Sequence, residues 1–195
     1  AQVAGRATLR LANSERLPFE FKGFADNIDL YIGELEELAD SMRVDTKDKN
    51  SMIIDGTYTA ALDPTKTISP PTIKDSVPYF NFSPLKNALA ELKESATNFE
   101  TVGQINKKST KELNNLLYTV ERLMIRDEGL PKREWYKHYI YAPGFYTGYG
   151  VKTIPAVREA IEEREYDRVE KQIMLSAEVI ENITARIDVI VELLK

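Results

Sequence analysis

The final segment of the chain has the most restrictive pattern, because apolar residues recur along it at steps of three and four. One line runs from Val169 to Leu194, and a second line beside it includes Leu175 and Val189. Such steps place side chains on one face of an α-helix. Two adjacent lines make this apolar face broader than that of a helix with one side exposed to solvent. The pattern therefore predicts a long helix covered by its own bundle and by a second surface.

Other segments show helical spacing with narrower apolar faces. Stripes of this kind run over 24–42, 85–99 and 113–124. A shorter amphipathic segment opens the chain at about 3–13. No segment alternates apolar and polar residues with the period of two that a half-buried strand requires. The predicted fold class is all-α, an up-down four-helix core with extra short helices and long loops, in one domain over residues 1–195.

The helical pattern is interrupted over residues 44–82. Within this stretch, "DPTKTISPPTIKDSVP" contains four prolines and many Thr, Ser and Asp residues. Proline fixes φ and removes a backbone donor, so a long regular element cannot persist here. The sequence predicts a long Pro-rich excursion over the surface. A loop of this length is either functional or an insertion.

The composition argues against several classes of function. The 31 acidic and 26 basic residues are interspersed, without the basic stripe of a nucleic-acid-binding protein. No apolar run is long enough to cross a bilayer, so no direct membrane insertion by this domain is expected. One histidine and no cysteine cannot supply a zinc site or a cysteine nucleophile. We therefore expect no catalytic residues, no metal ligands and no cofactor in this chain.

The one histidine lies in a dense aromatic loop, "YKHYIYAPGFYTGYG", over residues 136–150. The loop could form an active site, a binding site or a structural element that packs on the bundle. A tyrosine offers a large apolar ring and a hydroxyl that can satisfy the backbone groups of a long loop. We interpret the loop chiefly as a structural element that holds this connection on the bundle. The residues assigned this structural role are His138, Tyr141 and Pro143.

Three stretches resemble the carboxy-terminal helical domain of the glutamate carboxypeptidase II and transferrin receptor family. The most specific is "GLPKREWYKHYIYAPGFYTGYGVKTIPAVREAI" at 129–161. Its glycine-leucine-proline start, Arg133, His138, the "IYAP" run and Pro155 match the family's pattern. The opening "AQVAGRATLRLANSERLPFEF" and the late "KQIMLSAEVI" are similar to the first and last parts of the same domain.

The resemblance implies a non-catalytic homodimerisation module. In that family the module follows an M28-type zinc peptidase domain and a protease-associated domain, both in a membrane-anchored ectodomain. Zinc would then be bound by the parent's peptidase domain, outside this chain, and the parent would be a carboxypeptidase-like hydrolase. Its location would be the ectodomain of a type II membrane protein, extracellular or in a secretory or vacuolar lumen. The expected partners are a second copy and the parent's own peptidase and protease-associated domains.

The dimer interface is expected on the broad face of the final helix. Since most homodimers are isologous, the same surface would serve both copies. The residues predicted for this interface are Ile173, Ala177, Ile180, Ile183 and Ile187.

A second expected role is completion of the parent's substrate pocket. In glutamate carboxypeptidases an asparagine-lysine-tyrosine run helps to hold the carboxylates of the terminal glutamate, and Thr147, Gly148 and Tyr149 align with it. Gly148 stands at the lysine position, which weakens any carboxylate pairing. Alternatively, Tyr149 only packs the turn. A different class of function, a receptor-like protein-binding domain of a catalytically inactive member, would use the 44–82 excursion.

Overall fold

The computed structural model describes residues 2–63, 65–66, 69–106 and 109–195, and it confirms the all-α class. The predicted excursion thus contains three residues outside the described ranges, 64, 67 and 68. A two-stranded antiparallel hairpin, β1 and β2, is too short to have shown alternation in the sequence. The elements are α1 Gln2–Ala12, α2 Lys22–Ile54, α3 Thr57–Ala60, α4 Ser83–Ile105, α5 Lys111–Tyr118, a 3-10 helix Val120–Met124, β1 Tyr141–Pro143, β2 Val151–Thr153, α6 Pro155–Glu162 and α7 Tyr166–Leu194.

Four helices, α2, α4, α6 and α7, form the core as a closed ring of neighbours. Helix α4 packs against α2 and α7, and α6 also contacts both α2 and α7. Ion pairs of 2.6 Å join Lys86 to Glu36 and Lys93 to Asp29. The residue numbers rise along α4 as they fall along α2, so these two helices are antiparallel.

The other two helices complete an alternating arrangement. The Asn81 amide just before α4 donates to Glu170 in α7, and Ser95 donates to Asp188 further along both helices. Helices α4 and α7 therefore run in the same direction. Arg158 of α6 donates to Glu34 at 2.6 Å. Arg164, which follows α6, donates to Thr46, which lies further along α2 than Glu34. Helix α6 therefore runs parallel to α2. Along the chain the four helices therefore alternate in direction, as the predicted up-down topology requires, while the neighbours α4 and α7 lie parallel.

Helix α2 continues eleven residues beyond the predicted start of the excursion, to Ile54, so that boundary was wrong. Thr46 is buried, and its hydroxyl donates to the Met42 carbonyl. A polar residue thus occupies this inward position of α2, beyond Met42, where the predicted apolar stripe ends. Gly56, with φ of 73°, follows the helix in the left-handed region that glycine favours at this point.

Residues 69–78 of the proline-rich segment return along α2 and are called the strap below. The Arg43 guanidinium donates to the carbonyls of Val77 at 3.2 Å and Pro78 at 2.9 Å. The Asn50 side chain exchanges two hydrogen bonds with the backbone of Lys74, at 2.7 and 3.0 Å. The strap therefore covers the polar second half of α2, and its later part is fixed by side chains that are distant in sequence.

Candidate functional site

The aromatic loop folds into a hairpin that presents a seven-residue tip, residues 144–150. In the hairpin, Ala142 lies opposite Lys152, and Pro143 lies opposite Val151. Strands of only three residues are marginal on their own in water. The hairpin therefore depends on contacts with the rest of the chain, and these contacts define the site.

Hydrogen bonds within the tip close it into a compact turn. The Gly144 amide donates to the Gly150 carbonyl at 2.8 Å, and the Gly148 amide donates to the Gly144 carbonyl at 3.1 Å. Gly148 has φ of 61°, a conformation that side chains disfavour. A Cβ on Gly144 would lie 2.2 Å from the Thr147 hydroxyl oxygen. A side chain at position 144 would therefore force the Thr147 hydroxyl to move away from its place in the turn.

A buried ion pair clamps the point where β1 enters the tip. Both carboxylate oxygens of Glu159 accept from the Arg133 guanidinium at 2.8 Å, and Arg133 also donates to the Pro143 carbonyl. Glu159 in turn accepts from the Phe145 amide at 2.8 Å. Burial raises the pKa of Glu159, opposed by the Phe145 hydrogen bond and the positive charge of Arg133. The pair thus holds the backbone on both sides of Gly144.

His138 stabilises the base of the hairpin. Its Nδ1 accepts from the amides of Ile140 at 3.3 Å and Tyr141 at 3.1 Å. Burial lowers the pKa of His138, opposed by the negative charge of Glu121. A neutral ring with an unprotonated Nδ1 fits these two bonds. The Tyr141 hydroxyl donates to Glu121 at 2.8 Å, which raises the pKa of Tyr141.

The sequence assigned a structural role to His138, Tyr141 and Pro143. The structure places His138 and Tyr141 in the hydrogen-bonded base of the hairpin, and Pro143 at the clamp where β1 enters the tip. Sequence reasoning missed the clamp itself. Arg133 was noted as a match to the family pattern, but Glu159 carried no signal beyond its place in a charged helical segment. A buried arginine and a carboxylate 26 residues later can be paired only once the fold is known.

The three residues predicted to contact substrate, Thr147, Gly148 and Tyr149, all lie in the tip and are exposed. The Tyr149 side chain is fully exposed, at 104% of its reference area. It therefore packs against nothing in the described part of the chain, and the alternative that Tyr149 only packs the turn finds no support here.

The tip carries no charge of its own. Residues 144–151 contain neither acidic nor basic side chains. The next residue, Lys152, donates to both carboxylate oxygens of Glu162, at 2.8 and 3.0 Å. The nearest ammonium group along the chain is therefore already paired.

The five residues predicted for the dimer interface lie in the core of this chain. Ile173, Ala177, Ile180, Ile183 and Ile187 are each at most 2% exposed. They have no accessible surface to offer to a second copy, which corrects their assignment as interface residues. The broad apolar face of α7 is covered by α4, α5, α6 and the 3-10 helix of the same chain.

Some apolar surface of α7 remains accessible on the opposite side. Met174 is 58% exposed, Val189 is 51% exposed, and Ala185 lies exposed between them along the helix. Ala185 and Val189 belong to the second apolar line noted in the sequence. These three residues are called the outer stripe of α7 below.

Within the described ranges, no cluster of three or more His, Cys, Asp or Glu side chains is arranged to hold a metal ion. In the same ranges, none of the helices combines the length and apolarity needed to traverse a bilayer.

A known family resembles the part of the chain that contains the hairpin and helices α4, α5, α6 and most of α7. The profile of the transferrin receptor-like dimerisation domain matches residues 80–188, from the start of α4 to the last turns of α7. This is more than half of the chain. The chain belongs to the transferrin receptor-like dimerisation domain family. The hairpin, its clamp and the outer stripe of α7 up to Ala185 all lie within the matched part of this dimerisation domain.

Two curated relatives are larger proteins. "Probable glutamate carboxypeptidase LAMP1" of Arabidopsis thaliana is 31% identical over 164 residues, which are 83% of this domain and 19% of that protein. "Probable glutamate carboxypeptidase" of Arthroderma benhamiae is 36% identical over 90 residues, 46% of this domain and 12% of that protein. The matched regions therefore span less than a fifth of either relative.

Proposed function

We propose that this chain is the dimerisation module of a larger glutamate carboxypeptidase-like protein and contributes no catalytic group itself. The family match over residues 80–188 carries this proposal. The names of both relatives favour a hydrolase as the parent over an inactive receptor-like protein. In this proposal the parent is an M28-type zinc peptidase whose zinc is bound by its peptidase domain. Its expected location is the ectodomain of a type II membrane protein, extracellular or in a secretory or vacuolar lumen.

The association surface in this proposal includes the outer stripe of α7. Exposed apolar residues on a stable helix gain free energy when a partner covers them. Helix α7 is firmly held by its buried face, so the stripe is presented on a rigid support. A two-fold contact would bring the stripes of both copies together, as an isologous interface requires.

We expect the chain to sediment as a dimer, and Val189→Glu to weaken the dimer. A carboxylate added to an apolar contact must be desolvated or face the same charge on the other copy. The expected rise in the dissociation constant is about tenfold or more, since about 1.4 kcal/mol corresponds to tenfold. Sedimentation velocity over a concentration series, together with far-ultraviolet circular dichroism, measures both association and folding.

A matched control for this variant is Val44→Glu, on the outer side of α2 and similarly exposed. Val44→Glu should leave the dissociation constant unchanged. A folded wild-type chain that stays monomeric at high concentration would refute autonomous dimerisation. Equal effects of the two variants would exclude the outer stripe as the contact.

The second part of the proposal is that the hairpin tip closes one side of the substrate pocket in the parent. Support comes from the full exposure of Tyr149 on a tip that is held by the clamp. A rigid loop that presents an unpartnered aromatic ring is well suited to contact a ligand bound by a neighbouring domain.

Tyr149→Ala in the full-length protein is expected to raise KM about five- to tenfold with little change in kcat. The ring would contribute to binding of the substrate and of the transition state alike, so its removal should act on KM. Steady-state kinetics of the parent measures this effect. Tyr118→Ala, another exposed tyrosine away from the tip, serves as the control. An unchanged KM for Tyr149→Ala would remove the pocket role and leave dimerisation untouched.

A further inference from the structure

We propose that the hairpin tip selects a substrate whose contacted side chain is uncharged, apolar or aromatic, rather than a glutamate carboxylate. This inference rests on the proposed pocket role of the tip and specifies the substrate class. The parent would release a neutral C-terminal residue when water adds to the peptide carbonyl and the C–N bond breaks. The released amine takes up the proton.

The first reason is the absence of charge from the tip. Residues 144–151 contain no acidic or basic side chain. A carboxylate that leaves water requires a cation or several hydrogen-bond donors in return. Lys152 is the nearest cation along the chain, and its ammonium group already donates hydrogen bonds to the Glu162 carboxylate at 2.8 and 3.0 Å. A second carboxylate would have to displace Glu162 from this ammonium group.

The second reason is that three backbone amides and one hydroxyl of the tip already donate hydrogen bonds within the chain. The Gly144 amide is bonded to the Gly150 carbonyl, the Gly148 amide to the Gly144 carbonyl, and the Phe145 amide to Glu159. The Thr147 hydroxyl donates to the Gly150 carbonyl at 3.3 Å. These donors stabilise the turn itself and are not available to bind an anion.

The third reason is the aromatic surface that the tip offers. The rings of Phe145 and Tyr146 meet edge-to-face, with centroids 4.8 Å apart and planes at 87°. Tyr146 and Tyr149 are largely or fully exposed, and Phe145 is partly exposed. Ring faces and edges bind apolar and aromatic groups through burial and ring contacts. The chemistry of the tip therefore fits a neutral side chain.

The experiment compares peptides that differ only in the C-terminal residue, glutamate, leucine or phenylalanine, with the full-length protein. We expect kcat/KM for the leucine and phenylalanine peptides to exceed that for the glutamate peptide by about tenfold or more, the effect of one unpaired charge. If the protein hydrolyses none of the peptides, the same ratios are measured as dissociation constants by calorimetry.

Gly148→Lys tests the cause of the preference. A Cβ at this position meets nothing within 4 Å, so a lysine side chain has room, although its backbone is strained at φ of 61°. The added ammonium should raise the ratio of glutamate to leucine kcat/KM by about 10- to 100-fold, the range of a charge-assisted hydrogen bond. Gly148→Gln carries the same backbone strain without the charge and should leave the ratio unchanged.

The outcomes separate the two proposals. A wild-type preference for glutamate, or equal shifts from Gly148→Lys and Gly148→Gln, would overturn the inference about substrate class. In either case the pocket role would stand if Tyr149→Ala still raises KM. If Tyr149→Ala changes the kinetics of none of the peptides, the pocket role itself fails.

Discussion

Ile180→Asp is expected to unfold the chain rather than to separate a folded dimer into folded monomers. Ile180 has no exposed surface in the centre of α7, so the new carboxylate would be buried without a partner. An unpaired buried charge costs far more than an apolar contact can offset. Even Ile180→Ala should cost about 2–5 kcal/mol, a large part of the roughly 5–15 kcal/mol that stabilises an ordinary domain.

Circular dichroism and urea denaturation measure this effect. Ile180→Val should cost about 0.5–1.5 kcal/mol, which gives a graded series at one position. Val44→Asp is the control, because that side chain is 59% exposed on α2 and lies outside the outer stripe, and it should change the unfolding free energy by less than about 0.5 kcal/mol. A folded Ile180→Asp chain that is merely monomeric would show that Ile180 belongs to an interface after all.

Arg133→Met is expected to be the second most destabilising change, at about 3–5 kcal/mol. The substitution leaves the Glu159 carboxylate without its cation and the Pro143 carbonyl without its donor. Arg133 is 2% exposed and Glu159 is 12% exposed, so water cannot replace these bonds freely. Chemical denaturation of the isolated chain gives the change in unfolding free energy.

The double variant Arg133→Met with Glu159→Gln should be more stable than the sum of the two single changes predicts. Glutamine removes the unpaired charge and keeps an oxygen that can accept from the Phe145 amide. Lys93→Ala, which breaks an ion pair exposed to solvent, should cost less than about 1 kcal/mol. Strict additivity of the two single changes would contradict a coupled clamp.

The sequence predicted those features that follow from local periodicity. The course of α7 was clear because its apolar steps hold over seven turns, and the all-α class followed from the same kind of pattern. Periodicity does not predict which element covers an apolar face, since the spacing of Ile173 and Ile187 shows only that they share one face of the helix. The interface assignment was therefore incorrect, although the helix was predicted correctly.

The second half of α2 was missed for a related reason. Thr46 and Asn50 face inward, and polar residues at inward positions do not produce an apolar stripe. They are held there by Arg164 and by the strap, contacts that join residues 24 to 118 positions apart. The clamp of Arg133 and Glu159 is equally nonlocal. Only the folded chain shows that these polar groups satisfy one another.

The anchoring of the hairpin has an evolutionary consequence. The bonds that hold its tip come from residues 133–162, and none of them requires a particular side chain at positions 146 or 149. Exchanges at these two positions leave α4 and α7 untouched. In the proposed pocket role, ligand preference can consequently diversify among descendants by a few surface replacements, while the scaffold is inherited unchanged.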